Sequence, residues 1–182
     1  MKNSVMPRRS ERSKKRVRFD LWPSKRPRKT IPADPSRLPL AGSRAARFQP
    51  LLQSGVLAFR RFDDGEIAVL LVRKPRSKNW GIPKGNAEPQ LSLAENAAKE
   101  AFEEAGVRGR VDSHAVGKYR AVKRKHGLKL VIEVCVHLLE VTETAKKWPE
   151  KGEREIKWCS PQEAAILLLE PLLAELCDRL QR

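Results

Sequence analysis

With 182 residues and 40% hydrophobic residues, the chain is long enough to bury one ordinary core without disulfides or a structural metal. Its three cysteines, Cys135, Cys159 and Cys177, are odd in number and far apart, which excludes a disulfide framework or a closely spaced zinc motif and reads as reduced thiols. The formal charge is +16, no apolar run approaches bilayer length, and no apolar segment follows the basic start; a cytoplasmic protein without a membrane partner is expected, nuclear if the source is eukaryotic.

The charge is uneven. Residues 1–50 hold 15 Lys/Arg against 3 acids and the remainder 23 against 19, which puts +12 on the first fifty residues and +4 on the rest. Seven of the thirteen prolines also fall there, with clusters such as Lys14-Lys15-Arg16 and almost no apolar periodicity. Such a segment buries too little surface to offset its ordering entropy, so residues 1–50 are expected to be a disordered basic tail and 51–182 the folded domain. The tail reads either as an arm for nucleic acid or a nuclear address, or as a solvated extension; a basic excess attracts polyanions without choosing among them.

Ser54 to Phe62 reads as a strand, Asp63-Asp64-Gly65 as a hairpin turn, and Ile67 to Val72 as a strand buried on both faces. Lys84 to Gln90, with Gly85 and Pro89, reads as a loop. Ser92 and Glu95 form a capping-box signature for a helix that ends at Gly106, packed through Leu93, Ala94, Ala97, Ala98, Ala101, Phe102 and Ala105. Strands are expected over Val107 to Val111, Ala115 to Val122, Leu128 to Val141 and Glu155 to Cys159. A last helical region starts at Ser160-Pro161-Gln162-Glu163 and is bent or broken at Pro171.

Glu100, Glu103 and Glu104 stand three and four residues apart, so one helix face carries all three carboxylates. Like charges at that spacing repel, and acids near a helix C-terminus oppose its dipole, at about 0.3–1 kcal/mol each. A hard divalent cation would reverse both penalties, since magnesium takes oxygen ligands from a few carboxylates, water and phosphate. Without the preceding loop, a solvated helix face supported by Lys99 would serve as well.

The loop and helix together, Trp80-Gly81-Ile82-Pro83-Lys84-Gly85 running on to Lys99-Glu100-Ala101-Phe102-Glu103-Glu104-Ala105-Gly106-Val107, resemble the Nudix box of the Nudix hydrolase family. Gly85, Glu100, Ala101, Glu103, Glu104, Gly106 and Val107 fall in its register. Leu91 stands at the family's first glutamate and Lys99 at its arginine, which in the family orients neighbouring glutamates; lysine keeps the charge and loses the planar fork.

The resemblance implies an α/β (α+β) fold, an α/β/α sandwich around a mixed sheet. It also implies Mg2+ or Mn2+ held by Gly85, Glu100, Glu103 and Glu104, with a catalytic group of Glu100, Glu103, Glu104 and Lys99. The reaction it implies is water attack on a phosphoanhydride of a small phosphorylated substrate, one glutamate serving as general base and a loop acid such as Glu150, Glu153 or Glu155 as a further candidate.

Five cations and a histidine crowd the segment Lys118 to Gly127; beside a phosphate-cleaving site, Lys118, Arg120, Lys123, Arg124, Lys125 and His126 read as a phosphate clamp, joined by Arg73, Lys74, Arg76 and Lys84. Arg124-Lys125-His126, Glu153-Arg154-Glu155 and Trp158 look like the branch that hydrolyses diphosphoinositol polyphosphates and diadenosine polyphosphates. Trp80 reads as a brace for the loop, and His114 and His137 as structural or surface residues. The alternative is a catalytically weakened Nudix-fold module that binds nucleic acid through its tail or regulates; oligomeric state is left open.

Overall fold

The computed structural model describes residues 49–125 and 127–181, so the expectation for residues 1–48 and that for His126 lie outside the described residues. Seven strands and three helices follow in order: β1 (Leu51–Arg61), β2 (Ile67–Arg73), β3 (Lys84–Asn86), α1 (Leu93–Ala105), β4 (Val107–Val111), β5 (Gly117–Lys125), β6 (Leu128–Thr144), β7 (Glu155–Cys159), α2 (Pro161–Leu167) and α3 (Pro171–Leu180).

The strands form one mixed sheet with the path β4-β6-β1-β2-β7. Only the β1–β6 pair is parallel, in register from Leu51 with Ile132 to Phe59 with Glu140; the other pairs are antiparallel. Two strands divide each long edge. β5 and then β4 run along the free side of β6, and β3 and then β2 along the free side of β1.

The period-two alternation of the strands sorts the core into two layers. Val56, Ala58, Leu70, Val72, Leu139 and Val141 meet Ala97, Ala101 and Ala105 of α1. Leu57, Phe59, Val69, Leu71, Val134 and Val136 meet Leu173, Leu176, Cys177 and Leu180 under α2 and α3. The α/β/α sandwich expected from the resemblance is therefore present. Three alanines on the inner face of α1 let the helix lie close to the sheet, which fixes where its outer carboxylates stand. Among the described residues, no helix is long and apolar enough to cross a membrane.

Three sequence expectations need correction. Lys84 to Asn86 is a strand rather than loop, because Gln53 to Gly55 supply its hydrogen-bonding partner, a long-range contact that outweighs the local glycine. β5 runs on through Lys123 and Arg124 to Lys125, so the basic run forms a strand end whose partners are Leu130, Lys129 and Leu128. β6 continues to Thr144 because β4 takes over as its neighbour where β5 stops. The break at Pro171 is as expected: α2 ends at Leu167 and α3 begins at the proline.

Candidate active site

Both ends of α1 are locked by its own sequence. Ser92 accepts from the Glu95 backbone N–H while the Glu95 carboxylate accepts from the Ser92 backbone N–H at 2.8 Å. Gly106 closes the helix in the left-handed region at φ 66°, and a side chain there would also strike the Trp148 ring. In mid-helix Asn96 is fully buried; its amide donates to Ser54 Oγ at 2.8 Å and its carbonyl accepts from the Glu88 N–H at 3.2 Å. The helix is thus tied to β1 and to the loop before it. A polar residue on an alanine face was the available sign of Asn96.

The three glutamates have three different environments. Glu100 lies against Gly85, so closely that a Cβ at that position would overlap its carboxylate. Burial, then the charges of Glu104 and Glu103, push its carboxyl up to about 7. Glu104 is buried, accepts the Lys84 backbone N–H at 3.3 Å and receives the Arg154 guanidinium at 2.5 Å. Burial raises its carboxyl, and Arg154 and Lys84 oppose that rise. Glu103 is bound by Lys99 at 2.7 Å, and the same ammonium reaches Glu88 at 3.1 Å. Lys99 is therefore raised above its ordinary range by these two partners.

The glutamates are coupled in charge and split by their counter-ions. Glu100 and Glu104 face β3, whereas Glu103 is turned to Lys99. Among the described residues no three Asp, Glu, His or Cys side chains converge into a ready metal cluster.

The expected phosphate contacts also separate. Lys84 meets Glu104 through its backbone N–H; burial lowers its ammonium, Glu104 opposes that, and Lys123, Arg154 and Lys74 lower it further. Of the expected cations, Lys123 and Lys74 are thus the ones whose charge is felt at Lys84. Lys118 and Arg120 lie on the other face of β5, paired with Glu133 at 3.3 and 3.0 Å. Arg124 shares that face by the strand period and is exposed. Arg73 stacks on Trp80 at 4.5 Å and binds Glu155 at 2.5 Å. Arg76 is exposed at φ 67°. The side chains of Lys125 and His126 lie outside the described set. Trp80 packs against the α2/α3 core, His114 is exposed, and His137 is buried with Nδ1 3.0 Å from the Asp112 carbonyl.

A segment with no assigned secondary role in the sequence completes the site. Residues 145–154 lie across the C-terminal end of α1: Ala145 N–H donates to Gly106 O at 2.8 Å and Glu150 N–H to Glu103 O at 3.0 Å. From its far end Arg154 reaches Glu104, and its guanidinium also stands 2.9 Å from Glu150.

Comparison with known proteins gives a consistent picture. A family model described as NUDIX domain matches residues 51–180. The chain is 33% identical over 110 residues to Nudix hydrolase 21, chloroplastic, of Arabidopsis thaliana, covering 60% of this chain and 54% of that protein. It is 31% identical over 134 residues to diphosphoinositol polyphosphate phosphohydrolase 2 of Rattus norvegicus, covering 71% and 70%. The chain spans about half the length of the first plant relatives it matches. Among solved structures, it is similar in fold to a C. elegans Ap4A hydrolase binary complex, with a TM-score of 0.52 and 18% identity over 71% of this chain and 93% of that one.

Proposed function

This chain belongs to the Nudix family, and on that premise we propose that it is a pyrophosphohydrolase, cleaving a phosphoanhydride bond with the help of a divalent cation. The observation that carries the reading is the seating of two carboxylates, half-buried Glu100 and buried Glu104, against β3, where Gly85 leaves room for the first and the Lys84 backbone N–H binds the second.

The donor set fits a hard cation. Carboxylate oxygens are the ligands magnesium and manganese take, and Glu100 is raised to about 7 by burial and neighbouring acids, a penalty that a divalent charge removes. Glu100 and Glu104, with the Gly85 backbone, are the residues that would hold the ion; Glu103 would join them only on leaving Lys99. When bound there, such an ion would supply charge neutralisation at the phosphoryl oxygens and would acidify the attacking water. The chain's own part is positioning: Gly85 leaves room for the Glu100 carboxylate, the Lys84 backbone orients Glu104, and the lysines draw in the phosphate chain. One of the three box glutamates would take the proton of the attacking water.

The finer reading is a substrate selected by its phosphates, either a diphosphoinositol polyphosphate or a diadenosine polyphosphate. Two of the similar proteins bear names of that kind. In addition, Trp80 and Tyr119 are packed on the core, Trp148 on Gly106, and Trp158 under Arg60 at 4.1 Å, which leaves these rings engaged rather than offered to a base. The test is phosphate release with magnesium across diadenosine polyphosphates, nucleotide sugars, nucleoside triphosphates and diphosphoinositol polyphosphates. Turnover of the inositol or diadenosine substrates above the others supports the finer reading. No turnover on the panel, with salt-sensitive nucleic-acid binding instead, would replace it by a binding module.

A further inference from the structure

The box lysine leaves a task undone. Lys99 is committed to Glu103 at 2.7 Å and Glu88 at 3.1 Å, and it stands where the family's box has an orienting arginine. Glu104, the most buried of the three carboxylates, is held from outside the box instead, by Arg154, fifty residues later in sequence.

Arg154 is unusually well fixed for that purpose. Its side chain is 13% exposed and that of Glu104 9%, so the pair stands largely out of water, where breaking it would strand a charge. The strap that carries it is anchored at two backbone points, Glu103 on α1 and the Gly106 that caps it, and by the Trp148 ring over Gly106. The guanidinium stands 2.9 Å from Glu150 Oε2, yet that buried oxygen makes no hydrogen bond, and the buried Arg154 Nε has no partner. The buried Arg154 N–H left without a partner beside Glu104 marks hydrogen-bonding capacity still to be used.

We propose that Arg154 is a positioning residue for divalent-ion binding, orienting Glu104, and Glu150 beside it, from the strap over residues 145–154. The inference rests on the hydrolase reading for the identity of the ion's task. The geometry shares the work between two cations: Lys99 sets Glu103, and Arg154 sets Glu104. A planar guanidinium can address two carboxylates at fixed angles, which an ammonium does not do. Because the strap is hydrogen-bonded to the helix that bears the glutamates, ion binding at Glu104 and the order of the strap are linked.

The test measures Mn2+ binding directly, by titration calorimetry and by the loss of the free-ion electron paramagnetic resonance signal, on the full chain and on Arg154→Gln, Arg154→Lys, Glu104→Gln and the Arg154→Gln/Glu104→Gln pair. Arg154→Gln is expected to weaken Mn2+ about 10- to 100-fold, the range for a group that orients a metal ligand. Arg154→Lys should recover part of that loss. Arg154→Gln should add little once Glu104 is already Gln. On any substrate that the wild type turns over, kcat should fall more than KM rises.

Unchanged Mn2+ affinity in Arg154→Gln overturns the proposal, as does an equal loss in the Glu104→Gln background. A rise in KM alone, with Mn2+ binding intact, would make Arg154 a substrate contact instead. Should Arg154→Gln fail to fold, Arg154→Lys carries the same comparison with the charge retained. Since ion binding is read without turnover, a chain that hydrolyses nothing on the panel would sink the hydrolase reading and still decide the role of Arg154.

Discussion

Replacing Gly85 by alanine perturbs the site without touching the acids themselves. The added Cβ would overlap the Glu100 carboxylate, with the more distant oxygen only 2.5 Å away. Gly85 is not in the left-handed region, so alanine brings no backbone strain of its own. The obstacle is the end of a flexible side chain, and Glu100 can swing aside for a stability cost on the order of 1 kcal/mol. The consequence for function is larger, because displacing a ligand or base by about 1 Å costs about 100-fold in rate. Gly85→Ala should therefore melt within a few degrees of the wild type and lose 10- to 100-fold in metal-dependent turnover. In a Glu100→Gln background the same substitution should cost little more, since the group it displaces has already lost its charge. Thermal unfolding and phosphate release on the four proteins check this. Full activity in Gly85→Ala, or losses that multiply independently with Glu100→Gln, would refute the reasoning.

Other consequences follow from the same geometry. In the metal-free chain Glu100 is raised from 4.5 to about 7, so the folded state binds more protons than the unfolded one across that interval; stability should fall as pH rises from about 4.5 through about 7, by no more than about 3 kcal/mol. Melting curves in a chelator between pH 5 and 8 should show that decline, Glu100→Gln should flatten it, and an identical slope in both proteins would remove the cause assigned to it. Asn96→Ala leaves the Ser54 hydroxyl and the Glu88 N–H without their partners in the core and should cost about 1–3 kcal/mol in urea unfolding. Ser92→Ala removes half of the capping box and should cost about 1 kcal/mol by the same assay, with turnover unchanged.

What could be read from the sequence was what depends on neighbours along the chain. The capping box joins residues three apart, the closing glycine sits one residue past the helix, and Pro171 breaks the last helix by its own chemistry, so all three were legible. The strand Lys84–Asn86 was not, because its hydrogen bonds come from Gln53 to Gly55 and nothing within the segment shows them. The inner face of α1 was read as apolar; Ala94, Ala97, Ala101 and Ala105 are buried, but so are Asn96 and Glu104, each held by a partner from a distant segment.

The site follows the same division. Box spacing put Glu100, Glu103 and Glu104 on one helix and the i,i+4 spacing put Lys99 beside Glu103, but the partners of Glu104, the Lys84 N–H and Arg154, come from distant segments. In sequence the basic run of β5 reads as one clamp, whereas a strand sends alternate residues to opposite faces. Lys123 acts on Lys84, and Lys118 and Arg120 turn to Glu133. That alternation was in the sequence, hidden by the expectation that the strand ends at Val122.

The measurement that bears most directly on the central claim is turnover against magnesium concentration for the wild type, Glu100→Gln and Glu104→Gln, each first shown to be folded, on the substrate panel described above. The account predicts saturable, magnesium-dependent phosphoanhydride cleavage in the wild type, abolished by a chelator, and at least 100-fold slower in each variant, on the order of 3 kcal/mol of lost transition-state stabilisation. Cleavage that persists in the chelator, or that survives both substitutions, would contradict it.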